Sequence, residues 1–477
     1  MKERSPFFIL PMVLGAGLFL NLVLQIHPAM AQEASNNIQN IIAGAKISGH
    51  LRLYNYTRRN DEGTPVDNNA LAFGGDVTFK TGSFEGFSAA VGFYSANNIP
   101  IPEETVNKVL VGPNNYLEAL PVAYLQFDRY HILARGGRQL INTPWARGDM
   151  FTMLPRAFNG IAATIHPLSW FREIAESGEA ESYEVDHVEI NPSTAQDSNS
   201  VPGPYAPHFS IFIARMFNYE SRFNDHFTSG NRYTKEHTDG FVTTGLKYHQ
   251  RFGSNSFHVQ GWYYNFYDFA MLGYMEGNYR YDGDLPVSPL FGAQLVLEGN
   301  SGEQRLGPVD VQVYGLKAGI GFSHGSITLV SNWSPTHAGT FRQGGMVHPY
   351  NDLSGTFYTD TMNNGMGDIG PGYAYGIKLK FNFFKKAVDC YASYVRYLAR
   401  YGYGGAAYTT DGPYGYPESK PVKNQKQWAL DLGAAYHFKG ALKGLEIHDH
   451  IGIRDAYDWP VAAFIDNRLA MVYAFSF

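Results

Sequence analysis

Cysteine occurs once in the 477 residues, at Cys390, so an internal disulfide and any metal centre built on several thiolates are excluded. Charge is scarce as well. Only 17% of residues are charged, and the formal net charge of −6 leaves no basic surface of the kind that holds nucleic acid without regard to sequence. After residue 31 there is no apolar run long enough to cross a membrane as a helix. A P-loop, a G-x-S-x-G nucleophile elbow and a zinc signature are all missing. The sixteen histidines are scattered; His448 and His450 share one strand face but lack the carboxylate and histidine spacing of a metal site. The run Asn363-Asn364-Gly365-Met366-Gly367-Asp368 is loosely calcium-loop-like without the acidic ligands or the closing Glu. Neither an enzyme nor a cofactor or metal site is expected.

What the chain does have is aromatic and glycine content: 33 Tyr, 33 Phe and 51 Gly, spread evenly with no linker between two compositions. Its last residues alternate strictly. Phe477, Phe475, Tyr473, Met471 and Leu469 fall on one side, and Ser476, Ala474, Val472, Ala470 and Arg468 on the other. Successive strand side chains point to opposite faces, so this is a strand with one large apolar face and one small or polar face. An aromatic ring beside a free carboxylate suits a membrane interface better than a buried core. The start of the chain fits the same compartment. Lys2 and Arg4 precede an apolar stretch that ends in Ala29-Met30-Ala31, so residues 1–31 read as a cleaved signal peptide and residues 32–477 as one domain. Without spanning helices, entry into a bilayer requires a closed barrel, because an open sheet leaves backbone groups unsatisfied in lipid.

The fold class expected is therefore all-β: a transmembrane antiparallel barrel. Tyr373, Tyr375, Ile377, Leu379, Phe381 and Phe383 alternate with Ala374, Gly376, Lys378, Lys380 and Asn382, and Trp428 to Phe438 repeats the pattern. Very short joins, at Lys385-Lys386, residues 252–255 and residues 439–443, alternate with long ones at residues 271–308, 334–372 and 400–426. The short joins are the expected periplasmic turns and the long ones the extracellular loops. Sixteen strands can be placed directly. That count leaves residues 166–208 as a long join on the short-turn side, so two more strands within residues 168–207, making eighteen, are preferred over sixteen. Outward Tyr373, Trp428, Tyr436 and Phe477 are girdle residues.

Several segments then suggest a family. Leu51-Arg52 with Asn55-Tyr56, Ala72-Phe73-Gly74, Phe79-Lys80-Thr81-Gly82, Gly137-Arg138-Gln139, Thr143-Pro144, Met153 to Gly160, and the ending Asn467-Arg468-Leu469 with Val472-Tyr473 resemble the OprD family of outer-membrane porins. The resemblance implies an eighteen-stranded barrel whose third extracellular loop folds into the lumen, conducting small solutes, often carboxylates, past an eyelet and along basic side chains. The loop transfers to residues 140–158, with Arg147, Asp149 and Arg156 as constriction candidates. By alternation Lys378, Lys380, Arg454 and Arg468 face inward, and Lys247 and Arg251 are expected to do the same; the registers of Arg138 and Arg396 stay open. A row of Arg and Lys restores the hydration that a carboxylate loses, through charge-assisted hydrogen bonds repeated along the wall. The expected function is passive, substrate-selective diffusion of amino acids, small organic acids or peptides. The expected surroundings are outer-membrane lipid and lipopolysaccharide, and the outward face is equally compatible with a homotrimer. A barrel adhesin, or a membrane-embedded hydrolase, is the alternative.

Overall fold

The computed structural model describes residues 41–60, 68–100, 106, 108–148, 150, 152–167, 208–283, 285–350, 356–384, 386–402, 422–457 and 463–477. Their backbone forms one 18-stranded antiparallel sheet in which the last strand pairs with the first, so the sheet closes on itself. The strands are β1 Lys46–Asn60, β2 Asn68–Lys80, β3 Phe87–Ile99, β4 Tyr116–Arg129, β5 Ile132–Gln139 and β6 Ala157–Ile165. They continue as β7 His208–Glu220, β8 Phe241–Phe252, β9 Asn255–Phe266, β10 Ala270–Tyr281, β11 Ser288–Gly299 and β12 Val311–Phe322. The wall is completed by β13 Gly325–Ser334, β14 Gly372–Phe383, β15 Val388–Gly402, β16 Val422–His437, β17 Leu445–Tyr457 and β18 Phe464–Ser476. Each strand hydrogen-bonds the next in sequence, and Ser48 lies opposite Ser476 at the closure. Closure gives every ladder group a partner, which is what a hydrocarbon environment demands.

The alternation expected from the sequence is realised. Leu125, Leu316, Leu329 and Met275 are each more than half exposed on the outer face, as suits a surface solvated by lipid tails. In β18, Leu469, Met471 and Tyr473 face outward while Arg468, Ala470 and Val472 are buried inside. Aromatic rings gather at the two ends of the wall. Tyr314, Trp333 and Tyr373 stack in sequence near the long-loop rim at 5.2 and 6.3 Å, whereas Phe252, Phe257, Tyr279 and Phe291 form a chain near the short-turn rim. Asp449, an acidic residue within the apolar set of its strand, lies on the outer face and accepts a hydrogen bond from Asn467 at 2.7 Å.

The strand count of eighteen is observed, but the two strands added to sixteen lie elsewhere than expected. Residues 168–207 fall outside the described residues; β6 pairs directly with β7, so no strand from that segment stands between them in the wall. The missing pair is β10 and β11, inside the stretch expected to be one extracellular loop at residues 271–308. Their inner faces carry Leu272, Tyr274 and Val296, all buried, so both faces are apolar toward the long-loop rim and the alternation is blurred. The join between β6 and β7 accordingly begins and ends at the short-turn rim, beside the Tyr130-His131 turn.

Candidate functional site

Two loops from the long-loop rim descend into the lumen, and the wall is shaped to receive them. Residues 140–156, the third loop, carry a small hairpin that pairs Asn142–Thr143 with Ala146–Arg147. On one side Met150, Met153 and Leu154 pack against the small inward faces of β2 to β4, where Ala70, Ala72, Ala90, Ala96 and Ala119 leave room for them. On the other side the Trp145 backbone N–H donates to the Tyr264 hydroxyl at 3.2 Å, and its ring meets Phe357 at 5.3 Å. The loop therefore crosses the barrel, as the family resemblance implied. Its entry depends on Gly137 in β5: the residue has φ +125°, and a Cβ there would lie 2.3 Å from the Ala123 carbonyl oxygen.

The second loop, between β13 and β14, enters with residues 356–364; the interval 334–372 was expected as an extracellular loop, not as one folded into the lumen. Gln294 and Asn332, on the β11 to β13 wall, bind Tyr358 and Thr359: their carbonyl oxygens accept the two backbone N–H groups at 3.1 and 3.0 Å. Tyr397 donates to the Thr359 carbonyl at 2.6 Å, and Lys378 Nζ to the Asp360 carbonyl at 2.8 Å. Across the lumen, Asp431 accepts the Met362 N–H at 2.8 Å, Arg468 donates to Asn363 at 3.1 Å and Arg454 to Asn364 at 3.3 Å. The loops also hold each other, through Thr356 Oγ1 to the Pro144 carbonyl at 2.6 Å. Together they form a diaphragm tied to most of the circumference. Burial, with Glu276 nearby, pushes the Tyr358 phenol well above its ordinary range, so it stays a hydrogen-bond donor, reaching Asn278 at 3.4 Å.

The predicted basic positions all point inward, but they do different things. Lys378, Arg454 and Arg468 are anchors of the second loop. Arg468 is also held by Asp466, which takes a two-pronged contact from Arg58 at 2.6 and 2.9 Å. Lys247 reaches over the Trp262 ring at 5.5 Å, and Lys380 lies beside Tyr391 across the ladder. Arg251 sits at the short-turn rim, donating to the Gly253 carbonyl at 3.1 Å. Of the constriction candidates, Arg147 is partly buried close to Lys247, near enough for the two charges to repel. Arg156 is completely buried and donates to the Arg147 carbonyl at 3.2 Å, so it shapes the loop instead of facing a solute. Asp149 lies outside the described residues. Arg138 and Arg396 share the outward parity of their strands and do not line the lumen; Arg138 lies against Phe227 and Arg396 is exposed.

The inward cations that were missed include Arg52, Arg58, Arg135 and Lys317. Arg52 is buried 3.3 Å from Asp76 and donates to the Met153 carbonyl at 3.4 Å, tying β1 to the third loop. Its neighbour Leu51 is outward by alternation, so the parity of β1 contained that signal. Arg58 follows from the same parity. Lys317, over the Tyr358 ring at 4.5 Å, was hidden because Val311 and Val313 occupy the same inward face. Among the described residues no group of three or more His, Cys, Asp or Glu is arranged to hold a metal ion.

A closed barrel with a lumen narrowed by two loops and walled by charged side chains has the architecture of a membrane pore. Solved porins share it. OpdK of Pseudomonas aeruginosa, crystallised with vanillate, superposes with a TM-score of 0.69 at 14% identity, covering 92% of this chain and 100% of that one. OccK2 of the same organism in complex with glucuronate gives 0.65 at 13%, covering 92% and 100%, and a BenF-like porin from Pseudomonas fluorescens gives 0.68 at 14%, covering 92% and 100%. No protein-family model and no curated protein sequence matches the chain. At this identity the likeness establishes the fold, and it is the eighteen-stranded fold that the resemblance to the OprD family implied.

Proposed function

We propose that this protein is an outer-membrane porin through which small carboxylate-bearing solutes diffuse passively and selectively. The observation that supports this most is the inward set of Lys247, Lys317 and Lys380 beside the diaphragm, cations on the lumen wall of a barrel whose outside is apolar. Lys247 and Lys317 each lie over an aromatic ring, Trp262 and Tyr358, so a planar or aliphatic acid finds charge and an apolar flank together. Attraction of this kind, weak and repeated, concentrates an anion in the lumen without trapping it. The porins crystallised with vanillate and glucuronate both took a carboxylate. Arg147, with Asp149 in the same loop, is the constriction pair, and the work is transport, with no bond made or broken. Residues 1–31 direct export and are removed before assembly among lipid and lipopolysaccharide.

Liposome swelling tests the reading. Vesicles carrying the folded protein should swell faster in a small monocarboxylate than in the matching neutral amide. Equal rates for both, with the barrel intact, would refute the carboxylate preference.

A further inference from the structure

At the short-turn rim, away from the diaphragm, the inward faces of β15, β16 and β17 bring together five titratable side chains that conduction past the loops does not use. His437 places Nε2 3.0 Å from Asp389 Oδ2 and Nδ1 3.1 Å from Glu446 Oε2. The other oxygen of Glu446 lies 2.9 Å from His448 Nδ1, and the His448 ring lies 5.5 Å from that of His450, inclined by 33°. The result is a continuous chain, Asp389 to His437 to Glu446 to His448, ending on His450, which meets Tyr391 edge-on at 5.5 Å. An ionised carboxylate only accepts hydrogen bonds, so both contacts of His437 are complete only when both ring nitrogens carry protons. Asp389 and His437 are 46% and 41% exposed at the mouth, whereas His448 is 6% exposed, so the chain leads from open lumen into the wall.

The neighbours determine what this chain can do. On β14, Asn382 lies opposite Asp389 and Lys380 opposite Tyr391. On β16, Ala435 lies opposite Asp389 and His448, and Gly433 opposite Tyr391 and His450. On β18, Val472 lies opposite Glu446, Ala470 opposite His448 and Arg468 opposite His450. Lys439 and Lys443 belong to the adjoining turn. The two carboxylates are thus the acidic groups of the patch, and the charge of the patch is governed by its histidines.

We propose that Asp389, His437, Glu446 and His448 form a second selectivity filter at the inner mouth, one whose charge is set by protons. It rests on the channel reading above. With the histidines neutral the two carboxylates dominate and the mouth favours cations leaving the lumen. With His437 and His448 protonated the carboxylates are neutralised, and anions pass as readily as the basic wall above allows. Histidine is the side chain whose charge ordinary changes of pH can alter.

Reversal potentials of the full-length protein in planar bilayers under a potassium chloride gradient measure the effect. Between about pH 7.5 and about pH 5.5 the wild-type chloride-to-potassium permeability ratio should rise about twofold or more. The double variant His437→Gln, His448→Gln keeps the hydrogen-bond reach without titrating, and its ratio should stay flat across that span. Asp389→Asn keeps both histidines and removes one negative charge from the mouth, so its chloride-to-potassium ratio at about pH 7.5 should lie above the wild-type value. A double variant that responds as the wild type does, or an Asp389→Asn ratio at about pH 7.5 no higher than the wild-type one, would overturn the proposal. An absence of current from wild-type protein would instead strike at the channel reading itself.

Discussion

Asp431 offers the sharpest test of the diaphragm, because one carboxylate on the wall holds the far end of the second loop. It is 3% exposed and accepts the Met362 N–H at 2.8 Å. A hydrogen bond to an ionised group contributes about 1.5–3 kcal/mol, and removing the acceptor also leaves the N–H seeking water. Asp431→Ala should therefore shift the ratio of docked to released loop roughly 10- to 150-fold, since each 1.4 kcal/mol is about tenfold. The remaining anchors at Asn332, Lys378, Tyr397, Arg454 and Arg468 keep the docked state in the majority. The variant should thus spend most of its time at the wild-type conductance, with added excursions to a larger one. Asp431→Asn retains a neutral acceptor and should fall between the two. Single-channel recording reads this directly, with heat-modifiable gel migration confirming that the barrel is folded. Identical conductance and identical open-level noise in wild type and Asp431→Ala would show that the loop does not restrict the lumen.

Other consequences follow from individual contacts. Lys247→Gln removes a lumen cation that lies over the Trp262 ring, so current block by monocarboxylates should weaken while total conductance stays near wild type; unchanged block would remove Lys247 from the path. Arg52→Met strips the guanidinium from Asp76 and from the Met153 carbonyl, and should loosen the third loop, seen as larger and noisier openings than wild type. On the outer face, Asp449→Leu with Asn467→Leu replaces a polar pair by apolar groups that lipid solvates, so unfolding from vesicles in urea should need as much denaturant as wild type or more. A clear loss of stability would mean that protein, not lipid, covers that face.

Most of the barrel was legible because a wall with lipid on one side and a polar lumen on the other writes itself as a period of two. β14, β16 and β18 show it most clearly, and the parity of β14, β17 and β18 placed Lys378, Lys380, Arg454 and Arg468 on the inner side. The pattern fades where the loops enter. Behind them the lumen is no longer polar: Leu272, Tyr274, Val296, Val311 and Val313 face inward and are buried, so β10 and β11 have two apolar faces and resembled a loop. The count of eighteen then came from the parity of short and long joins, and the strands were assigned to the wrong interval.

The site divides along the same line. Inward position is a local property of a strand and could be read from alternate residues. Whether an inward cation is available to a solute depends on what reaches it from across the barrel. Arg468 and Arg454 look alike in sequence to Lys247, yet Asn363 and Asn364 occupy the first two from a loop 105 and 90 residues away in the chain. Arg156 likewise was placed in the right loop by resemblance, but its complete burial is a tertiary outcome.

The central claim is that this barrel is a narrowed, anion-binding pore, and single-channel current from purified, folded protein tests it most directly. Small discrete steps, interrupted by added monocarboxylates and less so by the neutral amides, are the predicted result. Folded protein that inserts but passes no ion current, or current indifferent to carboxylates, would contradict it.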